Sequence, residues 1–110
     1  MIRNIFEHEY YMEIEDQLYN QGLEAALMFT SKNDPISDEI LKKLYEVKNL
    51  IKKPVFILDV EEAFSVTENF CIQDDKDIPD LVLFNGDGNT DIFRYSSTPI
   101  DTVIDMLINL

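Results

Sequence analysis

The stretch Ile78-Pro79-Asp80-Leu81-Val82-Leu83-Phe84-Asn85-Gly86-Asp87-Gly88 constrains the fold more than any other part of the chain. A proline follows an apolar residue just ahead of an apolar run, and that run ends in a glycine-rich turn. Proline has no N–H to give to a sheet ladder, so it belongs at the first residue of a strand or before it. The bond preceding it is also one with ready access to the cis form. Leu81–Phe84 therefore reads as a strand, and Asp91–Tyr95 as its partner, paired across Gly86 and Gly88 as a hairpin.

Upstream of the hairpin, helical and strand patterns alternate. Arg3 to Phe6 is a short first strand. Tyr10, Tyr11, Ile14 and Leu18 make a helical stripe from His8 to about Asn20, which Gly22 is placed to end. Ala25-Ala-Leu-Met-Phe29 is a short, near-continuous apolar run, as in a strand buried on both faces. Asp34-Pro35 is an N-cap residue followed by proline at the first helical position. The apolar spacing from Ile36 to Ile51 continues that helix, and Pro54 stops it. Val55–Leu58 is another buried strand, and residues 61–70 form a short helix. Thr98 is expected to cap the last helix, with Pro99 at its first position and a face of Ile100, Val103, Ile104, Leu107 and Leu110. The predicted order is β-α-β-α-β-α-β-β-α, a mixed sheet with helices on both faces.

At 110 residues the chain accommodates one domain, 1–110, around one core. Its apolar runs fall far short of the roughly 18 residues a membrane span needs. The N-terminus turns acidic at once and carries no secretory signal pattern. One cysteine supplies no disulfide framework, so a cytoplasmic location is expected. Against 9 basic residues stand 22 acidic ones, a net charge of −13. The excess is concentrated in residues 59–110, whereas residues 32–53 hold six of the nine basic residues. Such a chain repels nucleic acid and anionic membrane, and is steered towards basic partners. Acidity also serves plain solubility.

Few residues qualify for site chemistry. A zinc site needs three or four ligands, and His8 has no histidine or cysteine companion. Asn85-Gly-Asp87-Gly-Asn89-Thr-Asp91 looks superficially like a calcium loop. It has Thr90 where glycine is required and Ser96 where a bidentate Glu belongs, so a β-turn explains it better. Neither metal nor cofactor is expected. Cys71 reads either as a one-cysteine reactive centre or as a small core-facing hydrophobe. With Asp74, Asp75 and Asp77 nearby and Lys76 the only local cation, the hydrophobe is favoured.

The proline-led strand and hairpin, the element order and the Asp34-Pro35 helix start together resemble the thioredoxins over essentially the whole chain. The resemblance implies a thioredoxin-like three-layer α/β/α fold with a mixed central sheet. Val55-Phe-Ile-Leu-Asp-Val resembles that family's third strand, and Asn69-Phe70-Cys71-Ile72 its aromatic-Gly-Ile segment before a cis-proline. It breaks at the redox centre. Where thioredoxins carry Trp-Cys-Gly-Pro-Cys, this chain has Lys32-Asn33-Asp34-Pro35-Ile36. Asn33 and Ile36 occupy the cysteine positions, and Leu27 falls near the family's buried carboxylate. Dithiol exchange needs an activated thiolate and a resolving thiol, which an amide and an isoleucine cannot supply.

The resemblance further implies a peptide groove, with Ile78 offering backbone contacts before Pro79 and Asn33, Asp34 and Pro35 across from it. Recognition there is of the β type, with main-chain hydrogen bonds and side-chain selection. Asp74, Asp75, Asp77 and Asp80 around that groove favour a Lys/Arg-rich segment, although an ordinary solvated acidic loop has the same composition. The expectation is a redox-inactive binding module rather than an enzyme, with a basic protein partner. Two alternatives stay open. One is an acidic, nucleic-acid-mimicking inhibitor of a DNA- or RNA-binding protein, and the other a single-cysteine thiol enzyme using Cys71.

Overall fold

The computed structural model describes residues 1–72, 78–87, 89–94 and 97–110. Strand β1 (Ile2–Asn4) leads into helices α1 (Glu7–Glu9) and α2 (Glu15–Tyr19), joined without a break by a π-helical turn over Tyr10–Ile14. Then follow β2 (Glu24–Thr30), α3 (Pro35–Glu46), β3 (Val55–Asp59) and α4 (Phe64–Asn69). The hairpin β4 (Asp80–Asn85) and β5 (Thr90–Arg94) precedes the last helix, α5 (Ile100–Ile108). The predicted order of elements is thus the observed one.

The π-helical turn has a cause in the sequence. Tyr10, Ile14 and Leu18 are spaced by four, which in a pure α-helix carries each about 40° further round the axis. A wider i→i+5 turn keeps the three in line, and all three are buried. Burying Ile14 and Leu18 is worth roughly 1.5–3 kcal/mol apiece. After the helix, Gly22 turns the chain at φ +70, and a Cβ there would lie 2.9 Å from the Gly86 carbonyl oxygen. Only glycine fits, so the start of β2 rests against the β4–β5 hairpin.

The five strands lie in the order β1-β3-β2-β4-β5. β3 is parallel to β1 and to β2, whereas β4 runs antiparallel to β2 and to β5. Alternation along the strands divides the core in two. Leu27, Phe29, Phe56, Leu58, Val82 and Phe84 face Tyr10, Ile14, Leu18 and Val66. Met28, Val55, Ile57 and Leu81 face Ile40 and Leu44 of α3 and Val103 and Leu107 of α5. Because both faces are covered, the central strands read as unbroken apolar runs rather than alternating ones.

Three expectations are corrected. Helix α3 stops at Glu46, and its last turn tightens into a 3-10 turn over Lys48–Leu50, which delivers Ile51 to the core. Helix α5 begins at Ile100 with Pro99 itself as N-cap, so Thr98 makes no cap. Cys71 is exposed rather than core-facing. Its φ is +57, its N–H bonds the Glu68 carbonyl at 2.9 Å and the Ile72 N–H bonds the Thr67 carbonyl at 3.2 Å. Those two bonds are a Schellman motif closing α4, with Cys71 in the left-handed position that glycine usually fills. The backbone requirement turns its side chain outward.

Candidate functional site

The segment that follows β2 is held by its own side chains. Asp34 adopts an extended conformation and caps α3, accepting the Ser37 N–H at 2.9 Å and the Ser37 hydroxyl at 2.8 Å. Pro35 sits at the first helical position, where no N–H is missed. Ser31 and Ser37 are both buried, and the Ser31 N–H bonds the Ser37 hydroxyl at 3.1 Å. The Ser31 hydroxyl in turn donates to Glu61 at 3.1 Å. Buried polar groups are tolerated when paired in this way.

The turn after β3 is laced to this segment. Asp59 accepts the Lys32 N–H at 3.0 Å through one oxygen, and the N–H groups of Glu61 and Glu62 at 2.9 and 3.2 Å through the other. The Lys32 ammonium pairs with Glu62, which raises its pKa.

The third part arrives on β4. Phe29 pairs with Asp80 in antiparallel register, so Ile78 and Pro79 reach the sheet at the same end from which Ser31–Pro35 departs. The Ile78–Pro79 peptide bond is cis. Pro79 is buried and Ile78 half-buried against the core around Phe70. Asn33 and Pro35 are exposed, and Asp34 is half-buried as the cap.

Of the residues singled out from the sequence, the structure brings Asn33, Asp34, Pro35, Ile78 and Pro79 to one end of adjacent strands. Asp74, Asp75 and Asp77 lie outside the described residues. Asp80 belongs to β4 and is buried, with Arg94 of the neighbouring strand 3.6 Å from its carboxylate. It therefore faces the interior of the protein rather than a partner. Sequence reasoning passed over Ser31, Ser37, Asp59 and Glu61, which hold the site's backbone. The Asp34-x-x-Ser37 spacing at a helix start was the available signal for one of these contacts; the others join distant segments.

The side chains described at this site make hydrogen bonds and one ion pair. The sequence has one cysteine, Cys71. It lies at the end of α4, where carbonyls converge, rather than at the start of α3. Among the described residues no cluster of three or more His, Cys, Asp or Glu is disposed to hold a metal ion. No described helix is long and apolar enough to cross a membrane.

No family model matches the sequence, and no curated protein matches it. Solved structures do. Thioredoxin O2 from Arabidopsis thaliana, in its oxidized state, superposes with a TM-score of 0.79 at 12% identity, covering 99% of this chain and 93% of that one. Thioredoxin O1 from the same plant gives 0.77 at 14% identity, covering 99% and 96%. Reduced thioredoxin from Schistosoma mansoni gives 0.75 at 12% identity, covering 98% and 96%. Identities this low speak for architecture alone. The chain has the thioredoxin-like α/β fold, built on a five-stranded mixed sheet.

Proposed function

We propose that this chain is a redox-inactive, thioredoxin-like protein-binding module that engages a basic, extended segment of another protein. The observation that carries the reading is the meeting of Asn33–Pro35 with Ile78–Pro79 at one end of β2 and β4, with no thiol at that place. A capped helix start beside the first residues of an adjacent strand can offer main-chain partners to an extended chain. The net charge of −13 favours Lys and Arg in that chain and speeds its encounter.

Two measurements test the reading. The protein should not accelerate reduction of insulin disulfides by dithiothreitol; acceleration would sink the redox-inactive part. Partners should then be captured from a lysate by the wild type and by a variant with Asp74, Asp75 and Asp77 changed to Asn. Asp80 stays intact there because it is buried. A discrete partner that the variant loses supports the module. A partner kept by the variant and released by salt moves the interaction to the broad acidic surface, and favours the nucleic-acid mimic.

A further inference from the structure

Four chain segments line up along the end of the sheet that carries the site, in the order the strands impose. Ile78–Pro79 leads into β4, Ser31–Pro35 leaves β2, Asp59–Phe64 leaves β3, and Ile5–Phe6 leaves β1. Strands lie about 4.8 Å apart, so the row spans roughly 14 Å, the length of about four extended residues.

At the β1 end of the row two aromatic side chains stand in solvent. Phe6 is 57% exposed and Phe64 63%. The segments that carry them adjoin: the side chain of Glu7, which follows Phe6, accepts the N–H of Ser65, which follows Phe64, at 2.7 Å. Neither ring has room in the core, because Ile5, Ala63 and Val66 already occupy the inward positions on these segments. His8 stacks on Phe6 with ring centroids 5.8 Å apart and so holds it outward. Beside Phe6 opens a pocket of about 210 Å³, floored by Ile5 and Ile57 and flanked by Lys32, Asp59 and Glu62. Lys32, next to Asn33, thus belongs both to this pocket and to the segment of the candidate site.

We infer that Phe6 and Phe64 form the anchor for a large apolar side chain of the same partner segment that passes Pro79. The inference rests on the binding-module reading and deepens it. The partner segment is extended and rich in Lys or Arg, and it carries an aromatic or large aliphatic residue about four positions from the residue that faces Ile78. Aromatic side chains that become buried against a partner's apolar side chain are the kind of contact that dominates binding energy, while charge around them mainly steers and selects. Here Asp59 and Glu62 line the pocket beside Phe6, and Lys32, which also lines it, is already engaged by Glu62. The charge complement of this patch is therefore cationic.

The test uses two fluorescent peptides, Phe-Lys-Ala-Arg-Val-Lys-Lys and the same peptide with Ala in place of Phe, titrated by anisotropy at low salt. Each is measured against the wild type, a Phe6→Ser/Phe64→Ser variant, and the Asp74/Asp75/Asp77→Asn variant. The wild type should bind the Phe peptide about tenfold tighter than the Ala peptide. The Phe6→Ser/Phe64→Ser variant should bind both alike, at the weaker level. Because the Phe-to-Ala change in the peptide leaves the protein untouched, it tests the anchor even if the variant folds poorly. Equal affinity of the wild type for both peptides overturns the anchor. If binding then still weakens in the Asn variant, the binding-module reading stands without it. If neither peptide binds any form, both readings are overturned.

Discussion

The Glu7 carboxylate caps a helix that begins 57 residues later in the chain. Its Oε1 accepts the N–H of Ser65 at 2.7 Å and of Val66 at 3.1 Å, the first donors of α4, which has no side-chain cap of its own. Tyr11 closes the same junction, sharing a hydrogen bond with the Ser65 hydroxyl at 2.8 Å and accepting one from Asn69 at 2.8 Å. A six-residue helix is too short to hold itself in water, so α4 depends on this clamp. Glu7→Ala should cost about 1 kcal/mol, as loss of an N-cap does. Glu7→Gln, which keeps an acceptor oxygen, should recover much of it. Amide hydrogen exchange at Ser65 and Val66 gives the answer, and unchanged protection in Glu7→Ala would show that the cap is supplied elsewhere.

Cys71 pays for its left-handed backbone at φ +57. That conformation costs a side-chain-bearing residue about 1–2 kcal/mol, and glycine's extra chain entropy returns part of the gain. Cys71→Gly should therefore raise stability by roughly 0.5–1 kcal/mol, read as a higher urea midpoint at unchanged slope. Cys71→Val should lower it. In the native wild type the single thiol should react with a disulfide reagent without denaturant, because it is exposed; a thiol that reacts only after unfolding would return Cys71 to the core.

Tyr10 makes stability sensitive to alkali. Burial raises the pKa of its phenol, with smaller contributions from charge on Tyr19, Glu15 and Tyr11. In the unfolded chain a tyrosine titrates near pH 10. Below that value both states hold the proton and nothing is lost. Above it the unfolded chain releases its proton first, so stability falls by about 1.4 kcal/mol per pH unit until the folded group ionises too. Tyr10→Phe should lose less stability than the wild type between pH 9 and 11 in denaturant melts. Parallel profiles would place the alkaline loss on other groups.

Asp80 and Arg94 stand opposite one another on β4 and β5, 3.6 Å apart, with the carboxylate fully buried and the guanidinium about a third exposed. Arg94→Ala removes a cation set against a buried charge and should destabilise by roughly 2 kcal/mol, less than the loss from a wholly buried pair. Asp80→Asn in the Arg94→Ala background should restore part of that. Purely additive losses would show that the two side chains do not act together.

The parts legible in the sequence are those encoded within a few residues. Ala25–Phe29 and Val55–Leu58 announce strands buried on both faces. Asp34-Pro35 marks the start of α3, and Pro79 precedes β4 where its missing N–H does no harm. Cys71 stands halfway: it aligns with a glycine of the resembled family, a hint of left-handed backbone that its apolar character concealed. The order of elements, and with it the thioredoxin-like sheet, follows from such local signals, because strand and helix patterns arise from side-chain spacing against one covering layer.

The tertiary structure alone decided which polar groups were spent inside the protein. Asp80 is one more aspartate of an acidic stretch in the sequence, yet it is buried beside Arg94; Glu7 is one of several glutamates on a helix, yet it caps α4. The exposed pair Phe6 and Phe64 has apolar letters that suggest a core. Nothing within a few residues of these positions reports their fate. Each depends on which distant backbone N–H, cation or filled core position the packing of the sheet and its two helical layers brings into contact with it, within about 4 Å.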